Sequence, residues 1–137
     1  MKVFIDTNVL ATILLKETPR MRACAAVVSL SNHSKYQVFT SAITLATCFY
    51  FSEKKYGKEE AKAKLRLIAD NLKIARCDEA ETHNAFTLPM VSDFEDGLQY
   101  FAAVREGCKA IVTYDFNGFH YSKIPLYTPE DFLQSLL

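Results

Sequence analysis

Two short apolar runs rich in β-branched residues, Val3-Phe4-Ile5 and Ala110-Ile111-Val112-Thr113, each hand over to an aspartate. Asp6 follows the first run directly, and Asp115 follows the second after Tyr114. Apolar runs without alternation read as strands buried on both faces, the mark of a parallel sheet. In open parallel sheets, ligand sites form outside the carboxyl ends of the strands, where both aspartates fall. A third aspartate, Asp96, sits in Asp93-Phe94-Glu95-Asp96-Gly97-Leu98-Gln99. This spacing points to a carboxylate cluster on an α/β scaffold, and such a cluster to Mg²⁺ or Mn²⁺.

The rest of the chain alternates in the same way. Strands are expected over 2–5, 36–40, 73–75, 110–113 and 125–127. Helices are expected over 7–15, 21–30, 42–56, 58–70, 79–86, from Ser92 to about 106, and from Thr128 onward. Pro19 is a candidate start for the second helix, and Thr40 or Ser41 a cap for the third. Gly57 and Gly107 are natural stops. Ser92 and Glu95 have the spacing of a capping box, and Thr128-Pro129 that of a cap followed by a first-turn proline. Alternating strands and helices argue for a sheet covered on both faces.

With 137 residues, half of them apolar, the chain is expected to form one domain with a full core. No apolar stretch is long enough to span a membrane. Met1 to Asp6 lacks the long apolar segment of a signal peptide, so the expected compartment is the cytoplasm. Cys24, Cys48, Cys77 and Cys108 form no zinc-type pair, and His33, His83 and His120 are isolated, so buried reduced thiols are expected. The 16 basic and 16 acidic residues cancel, so nucleic-acid binding would need a local basic patch.

Each acid also has an ordinary structural role. Asp6 can cap a helix, Asp115-Phe116-Asn117-Gly118 is good turn chemistry, and Asp93 and Glu95 complement a helix dipole. Asp96 is harder to explain so, because it lies inside an otherwise apolar helix where a carboxylate needs a partner or a metal. Three carboxylates a few ångströms apart repel by roughly 4 kcal/mol per pair at an effective dielectric of about 20, so the cluster persists only with a cation or with shifted pKa values.

At this point Val3-Phe4-Ile5-Asp6-Thr7-Asn8-Val9-Leu10 resembles the opening motif of the PIN-domain ribonucleases, the class containing VapC-type toxins. The segment around Asp96 resembles their third motif, and Thr113-Tyr114-Asp115-Phe116 their fourth. The tail Ile124 to Phe132 is also similar. The resemblance covers nearly the whole chain. It implies a three-layer α/β fold over residues 1–137, a mostly parallel sheet between helices. It also implies a Mg²⁺- or Mn²⁺-dependent endoribonuclease that cleaves RNA phosphodiester bonds, often homodimeric and often a toxin held inactive by an antitoxin. By resemblance, Asp6, Asp96 and Asp115 hold the metal and position the attacking water. Asn8 and Thr113 support them, and Asp93 is an outer candidate.

Two positions depart from the family pattern. Thr47 stands where a glutamate is usual on the helix after the second strand, and Gly118 stands where a second aspartate is common. Weaker metal binding than the family norm follows from these changes. The competing expectation is therefore a weakened or inactive PIN-fold protein that acts by binding RNA or protein. An aspartyl-nucleophile phosphatase would want Asp-x-Asp after the first strand, where this chain has Asp6-Thr7-Asn8. Among basic residues, Lys54, Lys55 and Lys58 open the densest stretch and are candidates for RNA phosphates, or for a solvated helix face. Tyr114, Phe116, Phe119 and Tyr121 are candidates for base stacking or for the core.

Overall fold

In a computed structural model that describes residues 1–137, five strands form one parallel sheet: β1 (Lys2–Ile5), β2 (Gln37–Ser41), β3 (Lys73–Ala75), β4 (Ala110–Val112) and β5 (Leu126–Tyr127). Their spatial order is β3-β2-β1-β4-β5. Seven α-helices connect and cover them: α1 (Thr7–Leu14), α2 (Met21–Ser29), α3 (Ala42–Tyr56), α4 (Lys58–Ala69), α5 (Glu79–Thr87), α6 (Phe94–Glu106) and α7 (Pro129–Ser135). The α/β architecture expected from the alternating pattern is the one observed.

Period-two geometry divides the buried strand residues between two cores. Val3, Ile5, Val38, Ala110 and Val112 face one side with Val9 and Leu10 of α1, Val27 of α2 and Phe132 of α7. Phe4, Phe39 and Ile111 face the other with Tyr100, Ala102 and Ala103 of α6. Val3, Phe4 and Ile5 are all fully buried, so the unbroken apolar run reflects burial on both faces. Each such side chain stabilises the fold by roughly 1.5–3 kcal/mol.

Some local expectations need correction. Pro19 does not open α2; Arg20 occupies the cap position, and no side chain caps that helix. Ser41 rather than Thr40 caps α3, its oxygen accepting the Thr44 N–H at 3.2 Å. Ser92 is not the cap of α6. Asp93 is, accepting the Asp96 N–H at 3.0 Å; both residue types suit a cap, and Asp93 is the one whose side chain meets the helix end. That shift places Asp96 in the first turn and not beyond it. It also frees Glu95 from a capping box. From Phe94 to Val104, only those two residues of α6 are exposed.

Gly97 lets α5 and α6 approach closely. A Cβ there would lie 2.6 Å from Val91 Cγ1 and 3.2 Å from Ala85 Cβ. Overpacking of this kind costs about 1–3 kcal/mol, against a helix-propensity gain of about 1 kcal/mol for alanine. Gly97→Ala is therefore expected to lower stability in urea denaturation; a higher midpoint would contradict this account of the contact.

Candidate metal centre

The strand order reverses at β1. The chain first moves outward through β2 to β3, then returns through α6 to β4 on the other side of β1. Such a switch point leaves a crevice at the carboxyl edge of the sheet. Asp6 ends β1 there, and Thr113 to Asp115 follow β4 there. A helix leading into a parallel strand begins at that same edge, so the first turn of α6 brings Asp93, Glu95 and Asp96 to it. These elements border a groove of about 640 Å³ lined by Asp6, Asp93, Glu95, Asp96 and Asp115.

Asp6 is only 3% exposed. Its Oδ1 accepts the Thr7 N–H at 2.7 Å, so the capping role is real. Its Oδ2 accepts the Thr113 hydroxyl at 2.8 Å. The same Thr113 oxygen accepts the Asp115 N–H at 2.9 Å and the Asn8 amide at 3.4 Å. Asn8 Oδ1 accepts the Tyr114 N–H at 3.2 Å. Asn8 and Thr113 thus lace β1 to the segment after β4 and fix where Asp6 and Asp115 stand. Asp115 Oδ1 accepts the Gly118 N–H at 3.0 Å, so the turn role also holds.

Burial pushes the Asp6 carboxyl up to about 6, against the pull of hydrogen bonds from Thr113 and Thr7. Gln99, whose amide nitrogen is buried without a hydrogen-bond partner, adds to that pull as a nearby dipole. Asp96 goes further, to about 8, first by burial and then by the negative charges of Asp6, Asp93, Asp115 and Glu95. None of the molecule's ion pairs reaches these acids.

These shifts set the pH dependence of the metal-free fold. A carboxyl whose folded pKa is raised stabilises the fold below its unfolded pKa of about 4, and that contribution is lost as pH rises through the folded value. Asp6 and Asp96 therefore weaken the fold from about pH 4 to about 8. Glu81 and Glu106 act oppositely. The Asp78 N–H, with Arg105, holds Glu81 below the usual range, and the Arg76 N–H does the same for Glu106, so the stability they add is lost on acidification. In EDTA, the urea midpoint is expected to fall between pH 6 and pH 8; a midpoint that rises across that interval would contradict the assigned environment of Asp96.

The remaining sequence candidates fall in different places. Asp93 lines the groove while capping α6. Thr47 also lines it, but its hydroxyl donates to Ile43 O of its own helix at 3.1 Å. Lys54, Lys55 and Lys58 do not line the groove. Lys54 lies over the Tyr50 ring, and Lys55 donates to Leu15 O at 2.9 Å. Phe119 and Tyr121 are core residues, Phe116 is exposed, and Tyr114 lines the groove. All four cysteines are free, and Cys24, Cys48 and Cys108 are buried.

Glu95 is the residue whose role differs most from expectation. It lines the groove and its Oε1 accepts the Thr7 hydroxyl at 3.2 Å. Gln99 is the residue the sequence reading passed over. It is fully buried, and its Oε1 accepts from Thr44, which in turn bonds to Ser41. A polar residue among apolar neighbours in α6 was the available signal. Gly118 also has a spatial role. A Cβ there would overlap Asp96 Oδ2 and come within 2.7 Å of Asp115 Oδ2. The glycine therefore packs directly against two of the three aspartates.

As donors, these side chains fit a hard divalent cation: several carboxylate oxygens converge on one groove with no cationic side chain to neutralise Asp96. In this arrangement no three of them stand together as a ready metal-ligand set. Mg²⁺ keeps several of its waters and so can be held without a closed protein cage.

Comparison with known proteins agrees with this fold. A PIN domain family model matches residues 2–117. Ribonuclease VapC1 of Aquifex aeolicus (strain VF5) is 29% identical over 137 residues, covering 97% of this chain and 94% of that protein. Among solved structures, VapBC2 from Rickettsia felis, bound to a DNA fragment from their promoter, superposes with a TM-score of 0.72 at 20% identity. That match covers 93% of this chain and 98% of the other. Mycobacterium tuberculosis VapC20, a Sarcin-Ricin loop cleaving toxin, gives 0.68 at 15% identity, covering 87% and 94%. The family model spans both strand-end aspartates and the helix between them, and the chain belongs to the PIN domain family.

Proposed function

We propose that this chain is a Mg²⁺- or Mn²⁺-dependent endoribonuclease, the toxin of a toxin–antitoxin pair. The observation that carries the reading is the un-neutralised carboxylate cluster of Asp6, Asp96 and Asp115 at the switch point of the sheet. A relative named as a ribonuclease, and a structural neighbour described as a Sarcin-Ricin loop cleaving toxin, support the same assignment. A bound ion would lower the pKa of a water and offset charge on the scissile phosphate. Asp6, Asp96 and Asp115 would hold it. Thr113 and Asn8 keep two of those carboxylates in place, and Asp93 and Glu95 add negative charge at the rim. The antitoxin and a second copy of the chain are the proposed protein partners, with the cytoplasm as the compartment. No helix is long and apolar enough to cross a membrane.

A second reading, a PIN-fold protein that binds RNA or protein without cutting, is favoured by Thr47. Its hydroxyl bonds to its own helix and supplies no charge to the groove. The two readings separate in one assay: wild-type protein on tRNA and ribosomal RNA with Mg²⁺, with Mn²⁺ and with EDTA. Cleavage that requires the metal supports the nuclease. Binding to these RNAs without cleavage under either metal supports the second reading.

A further inference from the structure

The groove that holds the acids has a single cationic side chain on its wall, Arg20. It stands at the cap position of α2, just outside the helix, and it is exposed. Its guanidinium lies over the Tyr114 ring, 4.2 Å from the centroid. Tyr114 is itself fixed. Its hydroxyl donates to the Glu130 carboxylate at 3.0 Å and lies 3.6 Å from Cys24 Sγ, and its N–H donates to Asn8 Oδ1. Because Tyr114 sits between Thr113 and Asp115, the ring that carries Arg20 is anchored in the candidate site.

Despite the acids around it, Arg20 takes part in none of the molecule's ion pairs. An arginine stacked on an aromatic face keeps its rigid fork of donors available at the edge, the geometry that suits a phosphate. The element behind it points the same way. The first turn of α2 has no side-chain cap and no acidic residue of its own, although Glu17 lies nearby and its carbonyl accepts the Met21 N–H at 2.9 Å.

We propose that Arg20, laid on the Tyr114 ring at the rim of the carboxylate groove, binds an RNA backbone phosphate flanking the one that is cut. The inference rests on the ribonuclease reading and adds to it a substrate-positioning residue. An acidic groove repels a polyanion, so a fixed cation at its rim sets where the strand crosses and which phosphate meets the aspartates. Lys54, Lys55 and Lys58, being off the groove wall, do not set this register.

The test compares wild type with Arg20→Ala and Arg20→Lys on a fluorescein-labelled single-stranded RNA of mixed sequence and on tRNA. Binding is read by anisotropy in EDTA from 50 to 200 mM KCl, and cleavage by initial rates in Mn²⁺. Arg20→Ala is expected to raise KM about tenfold with little change in kcat, and to reduce the salt slope of binding by about 0.7, the value of one single-strand phosphate contact. Arg20→Lys is expected to recover the salt slope and only part of the affinity, since a point charge replaces the fork. Melting temperatures of all three should agree, which separates positioning from folding. If wild type cleaves and Arg20→Ala matches it in KM and salt slope, the inference fails while the nuclease reading stands. If wild type neither binds nor cleaves these RNAs, both fail together.

Discussion

Asp96→Asn is expected to abolish metal-dependent RNA cleavage while making the metal-free protein more stable at pH 8. The loss should be about 10³-fold or more, above the 10–100-fold typical of outer-shell changes, because Asp96 would contribute a ligand oxygen directly. The stability gain follows from its surroundings. The Asp96 carboxyl is pushed up to about 8 by burial and by four acidic neighbours, so ionising it in the fold is unfavourable. Asparagine has nearly the same shape and no charge to repel. Helix α6 loses no cap, because the Asp96 backbone N–H, not its carboxylate, bonds to Asp93. Allowing for partial solvent contact, the gain at pH 8 is on the order of 1–2 kcal/mol, and it should shrink toward pH 4 as the wild-type carboxyl becomes protonated in both states. Urea denaturation in EDTA at both pH values, beside cleavage assays in Mn²⁺, reads both effects. A variant that cleaves within threefold of wild type would remove Asp96 from the metal site.

Gly118→Ala is expected to lower activity with little change in stability. The added methyl would overlap Asp96 Oδ2 and crowd Asp115 Oδ2. Both atoms end short, rotatable side chains, so the fold can yield at little cost, and Gly118 has no positive φ that would strain an alanine. The stability change is expected to stay within about 1 kcal/mol, in the range of substitutions that strain nothing essential. Yielding, however, means turning two proposed ligands away from their positions. A displacement near 1 Å can cost about 10²-fold in rate, and a loss of that order is expected here. Wild-type rates in Gly118→Ala would show that Asp96 and Asp115 need not hold their observed positions. A large fall in melting temperature would show instead that the glycine serves the fold.

Gly118 also shows how a motif-based reading can be reshaped by packing. By resemblance, its place is one where the family often carries an aspartate, so glycine looks like a missing ligand. In space, the position is already filled by the carboxylates of Asp96 and Asp115. An acid added here would have to displace two others. Thr47 is different: it lines the groove, but its hydroxyl is turned to Ile43 O.

Elements defined by local chemistry were legible along the chain. The burial of Val3-Phe4-Ile5 on both faces, the long α3 ended by Gly57, and the Thr128-Pro129 start of α7 each follow from side-chain periodicity, a glycine stop or a cap. The sequence points to a cap of α6 one residue too early because Ser92 and Asp93 both suit that role. Which of them turns its side chain toward the helix depends on how the chain leaves α5. That one-residue shift reassigned Glu95 from a helix cap to the groove.

Two aspartates at the ends of β-branched runs, and a third in a largely apolar helix, are facts of the order of residues, and they made a carboxylate site readable without a structure. Their convergence depends on strand order. All strands are parallel, so their carboxyl ends share one edge, and because β4 lies beside β1 the ends of those two strands are neighbours there. Contacts between residues far apart in sequence decided the rest: Thr113 on Asp6, Glu95 on Thr7, Thr44 on Gln99 and Arg20 on Tyr114. Local propensity acts over a few residues and so is written in neighbouring side chains. The charge balance of a groove is a sum over side chains brought together by folding, and only the tertiary structure sets that sum.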